Sequence, residues 1–229
     1  MSKVRMGLIR KKTDWSMEDF QAYWLNHHGP LVRQAPGLSE YWQNHVIDRL
    51  QRGIDFTRGA WEFDGFSQLW VADRHQPFGG GELPEKILAD ENKFLGALHI
   101  VTVEQTAVVA VPEASIRKRM MKRMSIIRRR PELSENEFRA EWKVHADWVK
   151  TMSGVVGYRQ NVVAERELFK GQPCSYNDLP IDGIVEFWFE NTDALQAAFG
   201  SPQGQKTMAH AKTFLSEITA FLVDEHRII

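Results

Sequence analysis

The chain repeats itself, and the repeat limits its fold more than any other feature. The stretch RMGLIRKKTDWSMEDFQAYW at 5–24 aligns without a gap on RMSIIRRRPELSENEFRAEW at 123–142. Arg5/Arg123, Met6/Met124, Ile9/Ile127, Phe20/Phe138, Ala22/Ala140 and Trp24/Trp142 are identical at an offset of 118. The offset then falls to 117, where Gly37, Tyr41, Gln43, Asn44 and Val46 recur as Gly154, Tyr158, Gln160, Asn161 and Val163. Further on, DGFSQLW at 64–70 meets DGIVEFW at 182–188. Unrelated segments agree at on the order of one position in twenty, so the chain is a duplication. The change of offset falls between Trp24 and Gly37. Inside a helix it would rotate every later side chain by about 100 degrees; in the loop it would pair His27, not His28, with His145. The likeness of His28-Gly-Pro-Leu-Val to His145-Ala-Asp-Trp-Val favours the helix, the rotation favours the loop, and both stay open.

Each copy carries the same coarse pattern. A strand over 4–11 leads to a helix capped by Ser16, with a fuller capping box at Ser134-Glu-Asn-Glu137 in the second copy. Phe20, Trp24 and a histidine one turn later share a helical face. A second strand carries Tyr41-Trp-Gln-Asn-His-Val or Tyr158-Arg-Gln-Asn-Val-Val, and a third covers 66–71 or 184–189. A second helix follows over 84–95 or 192–216, the latter broken near Gly200-Ser-Pro202. A last strand over 100–111 or 218–227 closes the unit. The order β-α-β-β-α-β is the ferredoxin-like split βαβ, which makes the chain α+β. One such unit leaves a sheet face bare, so two are expected to pack their sheets into an intramolecular dimeric α+β barrel. The expected units are residues 1–111 and 120–229, joined by a linker over 112–119 that Pro112 opens.

Composition narrows the function. The 229 residues are 43% hydrophobic and 26% charged, enough for a buried core. A formal net charge of -1 argues against a nucleic-acid partner. The lone Cys174 rules out an internal disulfide framework and a cysteine-rich zinc site; without HExxH or a carboxylate triad, no catalytic metal is expected. The opening MSKVRMGLIRKK is too short and charged for a signal peptide, and no apolar run reaches spanning length, so a cytoplasmic chain with no membrane partner is expected. The eight Trp and thirteen Phe against four Tyr point to large apolar surfaces around a core or pocket.

The candidate chemistry gathers in the first copy. His27 and His28 follow Trp24, and imidazole suits proton transfer near neutral pH; adjacent residues cannot point the same way, so one is expected inward. On the next strand Tyr41, Gln43 and His45 share one face while Trp42 and Asn44 share the other. A purely structural role, histidines at a helix end and Tyr, Gln and Asn holding the halves together, has about equal weight. The second copy keeps His145, Tyr158 and Asn161 but has Val162 where the first has His45. Phe78-Gly-Gly-Gly81 reads as a flexible loop, the Arg117-Lys-Arg119 and Arg128–Arg130 runs as solvated flanks, and His210 and His226 as surface residues.

The pattern Phe20-x3-Trp24-x3-His28-x-Pro30-Leu31-Val32, then Gly37-Leu38-x2-Tyr41, resembles the EthD family of dimeric α+β barrel proteins, over both copies. The resemblance implies a pocket between helix and sheet with the motif histidine, His28, inside it. It also implies a degenerate second site, since the proline of the motif is missing there. The wider superfamily includes lactone isomerases, polyketide cyclases, cofactor-free monooxygenases and haem-handling barrels. The expected function is therefore lyase, isomerase or dehydratase chemistry without a cofactor on a bulky apolar, oxygenated molecule, aromatic or lactone-like. His28 would carry the proton, with His27, Tyr41 or His45 assisting. Trp24, Asn44, Trp61 and Trp70 would bind the substrate. A non-catalytic carrier and a haem- or oxygen-handling barrel are the alternatives, and a homodimer of the fused barrel is compatible with all three.

Overall fold

A computed structural model describes residues 3–71 and 78–229 of the chain. In chain order the first copy comprises β1 (Lys3–Lys11), α1 (Met17–Tyr23), a π-turn (Trp24–His28), α2 (Gly29–Val32), β2 (Leu38–Asp48), β3 (Gly65–Val71), α3 (Leu83–Phe94) and β4 (Leu95–Val109). After α4 (Ala114–Arg117), the second copy runs β5 (Met121–Arg129), α5 (Glu135–Lys150), β6 (Gly157–Phe169), β7 (Gln172–Pro173), β8 (Gly183–Phe189), α6 (Thr192–Gly200), α7 (Pro202–Phe214) and β9 (Leu215–Arg227). The strands hydrogen-bond in the order β4-β1-β3-β2-β9-β5-β8-β6-β7, and a β4–β6 pairing closes the circle. Each unit contributes four strands in the ferredoxin-like order. The β2–β9 and β4–β6 ladders weld the units edge to edge, which leaves neither inner pair of edges open.

Side-chain alternation then separates two environments. Val4, Met6 and Leu8 of β1 point into the barrel with Phe66, Met124, Ile184 and Phe221. Arg5, Gly7 and Ile9 point outward, beneath the helices of the first copy. The outer face is where each unit leaves a cleft between helix and sheet.

The repeated residues turn out to be the frame that docks helix on sheet. Gln43 donates from Nε2 to the Trp24 carbonyl at 2.9 Å and to the Tyr41 hydroxyl at 3.0 Å. Gln160 does the same to Trp142 at 2.7 Å and Tyr158 at 3.0 Å. In both Asp-Gly pairs the carboxylate accepts from the end of the first strand, Asp64 from Lys11 N at 2.9 Å and Asp182 from Arg129 N at 2.7 Å. The glycines leave room for indole rings: a Cβ on Gly65 would overlap the Trp24 ring, and one on Gly183 the Trp142 ring. Gly65→Ala is therefore expected to destabilise the protein by about 1–3 kcal/mol through overpacking, read as a lower denaturation midpoint at unchanged slope.

The π-turn resolves the change of offset. Gly29 N–H bonds back to the Trp24 carbonyl, five residues earlier, so the helix widens to take in one extra residue. The widening absorbs the rotation that an ordinary helical insertion would impose. His28, not His27, consequently occupies the place of His145.

Candidate active site

The first-half cleft lies between the helix of Trp24–Val32 and the outer face of β1, β2 and β3. Trp24, His28 and Val32 form one side; Ile9, Tyr41, Ser67 and Leu69 rise from the strands; Phe94 and Leu98 close the end. Phe78, from the glycine-rich loop, and Lys170, from the far copy, complete the wall. The cavity is small, about 40 Å³, room for about three water molecules. The resting walls leave space for a small ligand. A porphyrin or a bulky substrate would have to displace walls.

His28 is 5% exposed and held by a carboxylate. Its Nδ1 lies 2.9 Å from Oδ2 of Asp90, on α3. Asp90 is itself fixed: its Oδ1 accepts from the Tyr23 hydroxyl at 2.6 Å and from Lys93 Nζ at 3.1 Å. Burial raises the Asp90 pKa, but the hydrogen bonds from Tyr23, His28 and Lys93 outweigh it and hold the carboxyl below its usual range. For His28 the balance runs the other way. Desolvation lowers its pKa, the hydrogen bond and charge of Asp90 and the charge of Glu91 raise it, and desolvation wins. At neutral pH the pair is thus a carboxylate and a neutral imidazole. An ionised Asp90 can only accept, so Nδ1 carries the proton and Nε2 is the free basic nitrogen.

Tyr41 supplies the complementary group. Burial pushes its pKa far up, against the hydrogen bonds it receives from Gln43 and Trp24. A phenol that keeps its proton is a donor rather than a base. Ser67 and Glu91 add polar atoms to the wall, with Glu91 clamped by Lys170 at 2.5 and 2.6 Å.

The other expected site residues lie elsewhere. His27 is exposed and stacks on Tyr23 at 4.9 Å, over a surface groove beside Trp15. His45 stacks on Trp24 at 4.6 Å and meets Gln43 Oε1 at 3.0 Å; burial, aided by the charge of His226, lowers its pKa to about 3. It orients the frame and is not among the cleft walls. Asn44 points into the barrel, where Nδ2 donates to the Phe66 carbonyl at 3.1 Å and Lys122 donates to Oδ1 at 2.7 Å. Asn161 takes the matching place, donating to Ile184 O and Glu186 Oε1, each at 2.9 Å. Trp61 and Trp70 pack against the barrel core rather than the cleft. An aromatic surplus alone does not say which of the rings a cleft will use.

The second copy builds the same cleft without the dyad. Trp142, His145 and Tyr158 line it. His145 Nδ1 meets His210 Nδ1 at 3.2 Å instead of a carboxylate, and burial plus that neighbour lower its pKa to about 3. His210, expected on the surface, is stacked between His145 and Trp148. Asp90-Glu91 and His210-Ala211 each stand four residues before a Phe-Leu junction of helix and strand, Phe94-Leu95 and Phe214-Leu215. Extending the repeat to an offset of 120 would have exposed Asp90 as the residue peculiar to the first half.

The profile of the EthD domain matches the chain twice, over residues 12–97 and 130–217. The chain belongs to the EthD family. The two matches make it a fused pair of EthD units, and the barrel agrees with solved structures across nearly the whole chain. An anthrone oxidase-like protein superposes with a TM-score of 0.65 at 9% identity, covering 99% of this chain and 93% of that one. A dye-decolorizing peroxidase from Bacteroides thetaiotaomicron gives 0.59 at 7% identity, covering 97% and 92%. A protein from Lactobacillus acidophilus assigned as a monooxygenase gives 0.57 at 10% identity, covering 100% and 95%. At such identities the likeness is one of fold. No curated protein matches this EthD chain. Among the described residues no helix is long and apolar enough to cross a membrane, and no group of three or more His, Cys, Asp and Glu side chains is placed to hold a metal ion.

Proposed function

We propose that the first-half cleft is the active site of a proton-transfer enzyme. The observation that carries this reading is the buried, carboxylate-held His28 in the wall of a small, largely apolar cleft, its Nε2 hydrogen-bonded to none of the described residues. His28 takes a proton from an activated C–H or O–H group, Asp90 stabilises the imidazolium that forms, and Tyr41 donates a hydrogen bond to the oxygen that gains charge. Return of the proton at another atom gives isomerisation; loss of a leaving group gives a lyase or dehydratase. The substrate class is a small, flat, oxygenated ring compound such as a cyclic ketone, lactone or phenol, and the chemistry calls for no metal or organic cofactor.

The test is proton exchange in heavy water, followed by NMR on a panel of small cyclic ketones and lactones. The wild-type chain is expected to wash deuterium into an acidic position, and His28→Ala to abolish the exchange while the melting curve is kept. Saturable binding without exchange would make the chain a carrier instead. The pH profile adds a second check. Only neutral His28 acts as base, and its pKa lies below 6.5, so kcat/KM should be level above neutrality and fall as acid protonates Nε2. A profile that keeps rising above pH 7 would point to another base.

A further inference from the structure

The second-half cleft repeats the apolar walls of the first but not its charge balance. Arg123, on the outward face of β5, lines it and is 2% exposed. Its Nε donates to Ser125 Oγ at 3.2 Å and its Nη1 to the Arg52 carbonyl at 2.9 Å, both neutral acceptors. Among the described residues Nη2 makes no hydrogen bond and no carboxylate pairs with the guanidinium. Its carbon lies 4.9 Å from the Phe199 ring centre. Burial lowers its pKa to about 9, which still leaves it charged at neutral pH, and His145 in the same cleft is neutral. A buried charge without a counter-charge is costly and calls for an anion.

The first copy shows what such an arginine accepts. Arg5, the equivalent of Arg123, is met by Glu167 in a two-point contact at 2.5 and 2.9 Å. Glu167 comes from β6 of the other copy, and the residue 117 positions earlier is Leu50. The second cleft therefore has the arginine and lacks the carboxylate. Its cavity of about 40 Å³ is lined by Ile54, Trp142, Phe187, Met208 and Leu215, which suits a short apolar body.

We propose that the second-half cleft binds a small organic carboxylate, its anionic head paired with Arg123 and its apolar body against these side chains. The site is separate from the first-half dyad and stands whether or not that dyad is catalytic. Calorimetric titration of the full chain with isobutyrate and benzoate, each beside its amide, tests it. At least one acid should bind with a stoichiometry of one, and its amide roughly tenfold or more weaker. Arg123→Gln should lose the acid by a similar factor, whereas His28→Ala, in the other cleft, should keep it. Ile54→Glu, at the half-buried rim, would place a competing carboxylate beside Arg123 and weaken the acid without weakening the amide; it decides the matter if Arg123→Gln does not fold. Binding of neither acid, equal binding of acid and amide, or binding that survives Arg123→Gln in a folded protein would overturn the proposal.

Discussion

Asp90→Asn is expected to slow turnover by roughly 10²–10⁴ while leaving the fold in place. The two side chains have nearly the same shape, so packing changes little. The hydrogen-bond logic changes completely. An ionised Asp90 accepts at both oxygens, from Tyr23 and from His28. Asparagine has one accepting oxygen and one donating amide. Because Tyr23 and Lys93 hold the Oδ1 side as an acceptor, the amide NH₂ would face His28. Nδ1 must then accept, which moves the imidazole proton to Nε2 and leaves no base in the cleft. Nitrogen-15 NMR of the histidines reads this tautomer switch directly. Turnover near wild type in Asp90→Asn, or an unchanged His28 tautomer, would remove the dyad from the chemistry.

The largest loss of stability should come from the barrel interior. Lys122 is 1% exposed and lies 2.8 Å from Glu186 Oε2 and 2.9 Å from Glu225 Oε2, and it donates to Asn44 Oδ1 at 2.7 Å. Glu186 Oε2 gains charge contact but no well-aligned hydrogen bond, so its attraction to Lys122 is chiefly ionic. Burial raises the Glu186 pKa, yet the charges of Lys122 and Arg159 and the hydrogen bond from Asn161 bring it down to about 2. Lys122→Met would strand that carboxylate in the barrel interior, at a cost of about 3–5 kcal/mol. Adding Glu186→Leu should recover much of the loss. The sign of the pH effect follows from linkage: a carboxyl lowered from 4.5 to about 2 stabilises the folded state above the higher value. That contribution is lost as pH falls towards the lower one. Chemical denaturation of both variants at neutral pH, and of the wild type on acidification, checks the whole argument; an unchanged midpoint in Lys122→Met would refute it.

The fold was legible because the duplication is written in residues with mechanical duties. Gly65 and Gly183 cannot take a Cβ against the indoles, and Gln43 and Gln160 tie the helices to the sheet. Residues with duties fixed by backbone and packing survive a duplication in place, so the repeat was easy to see. His28, Trp24 and Tyr41 could be read from helical and strand spacing. Asp90 could not: several charged residues of Leu83–Phe94 surround it, and only the docking of α3 buries it with Glu91 and sets it, rather than Glu91, against Tyr23 and His28. Trp70 and Asn44 misled for a related reason. Period-two alternation separates two faces but does not say which one a helix will cover.

Each cleft borrows a wall from the opposite copy: Lys170 and Glu167 reach over the first, Ile54 and Arg52 over the second. In a symmetric dimer of single units, any substitution on such a wall would appear in both pockets at once. Joining the units frees each pocket from the other's history, while the borrowed walls keep them from parting company. Asp90 where the second copy has His210, and Glu167 where the first has Leu50, are what that freedom looks like after the two halves have drifted. A chain cut at the linker would yield two fragments that need each other not only to close a sheet, but to finish two different pockets.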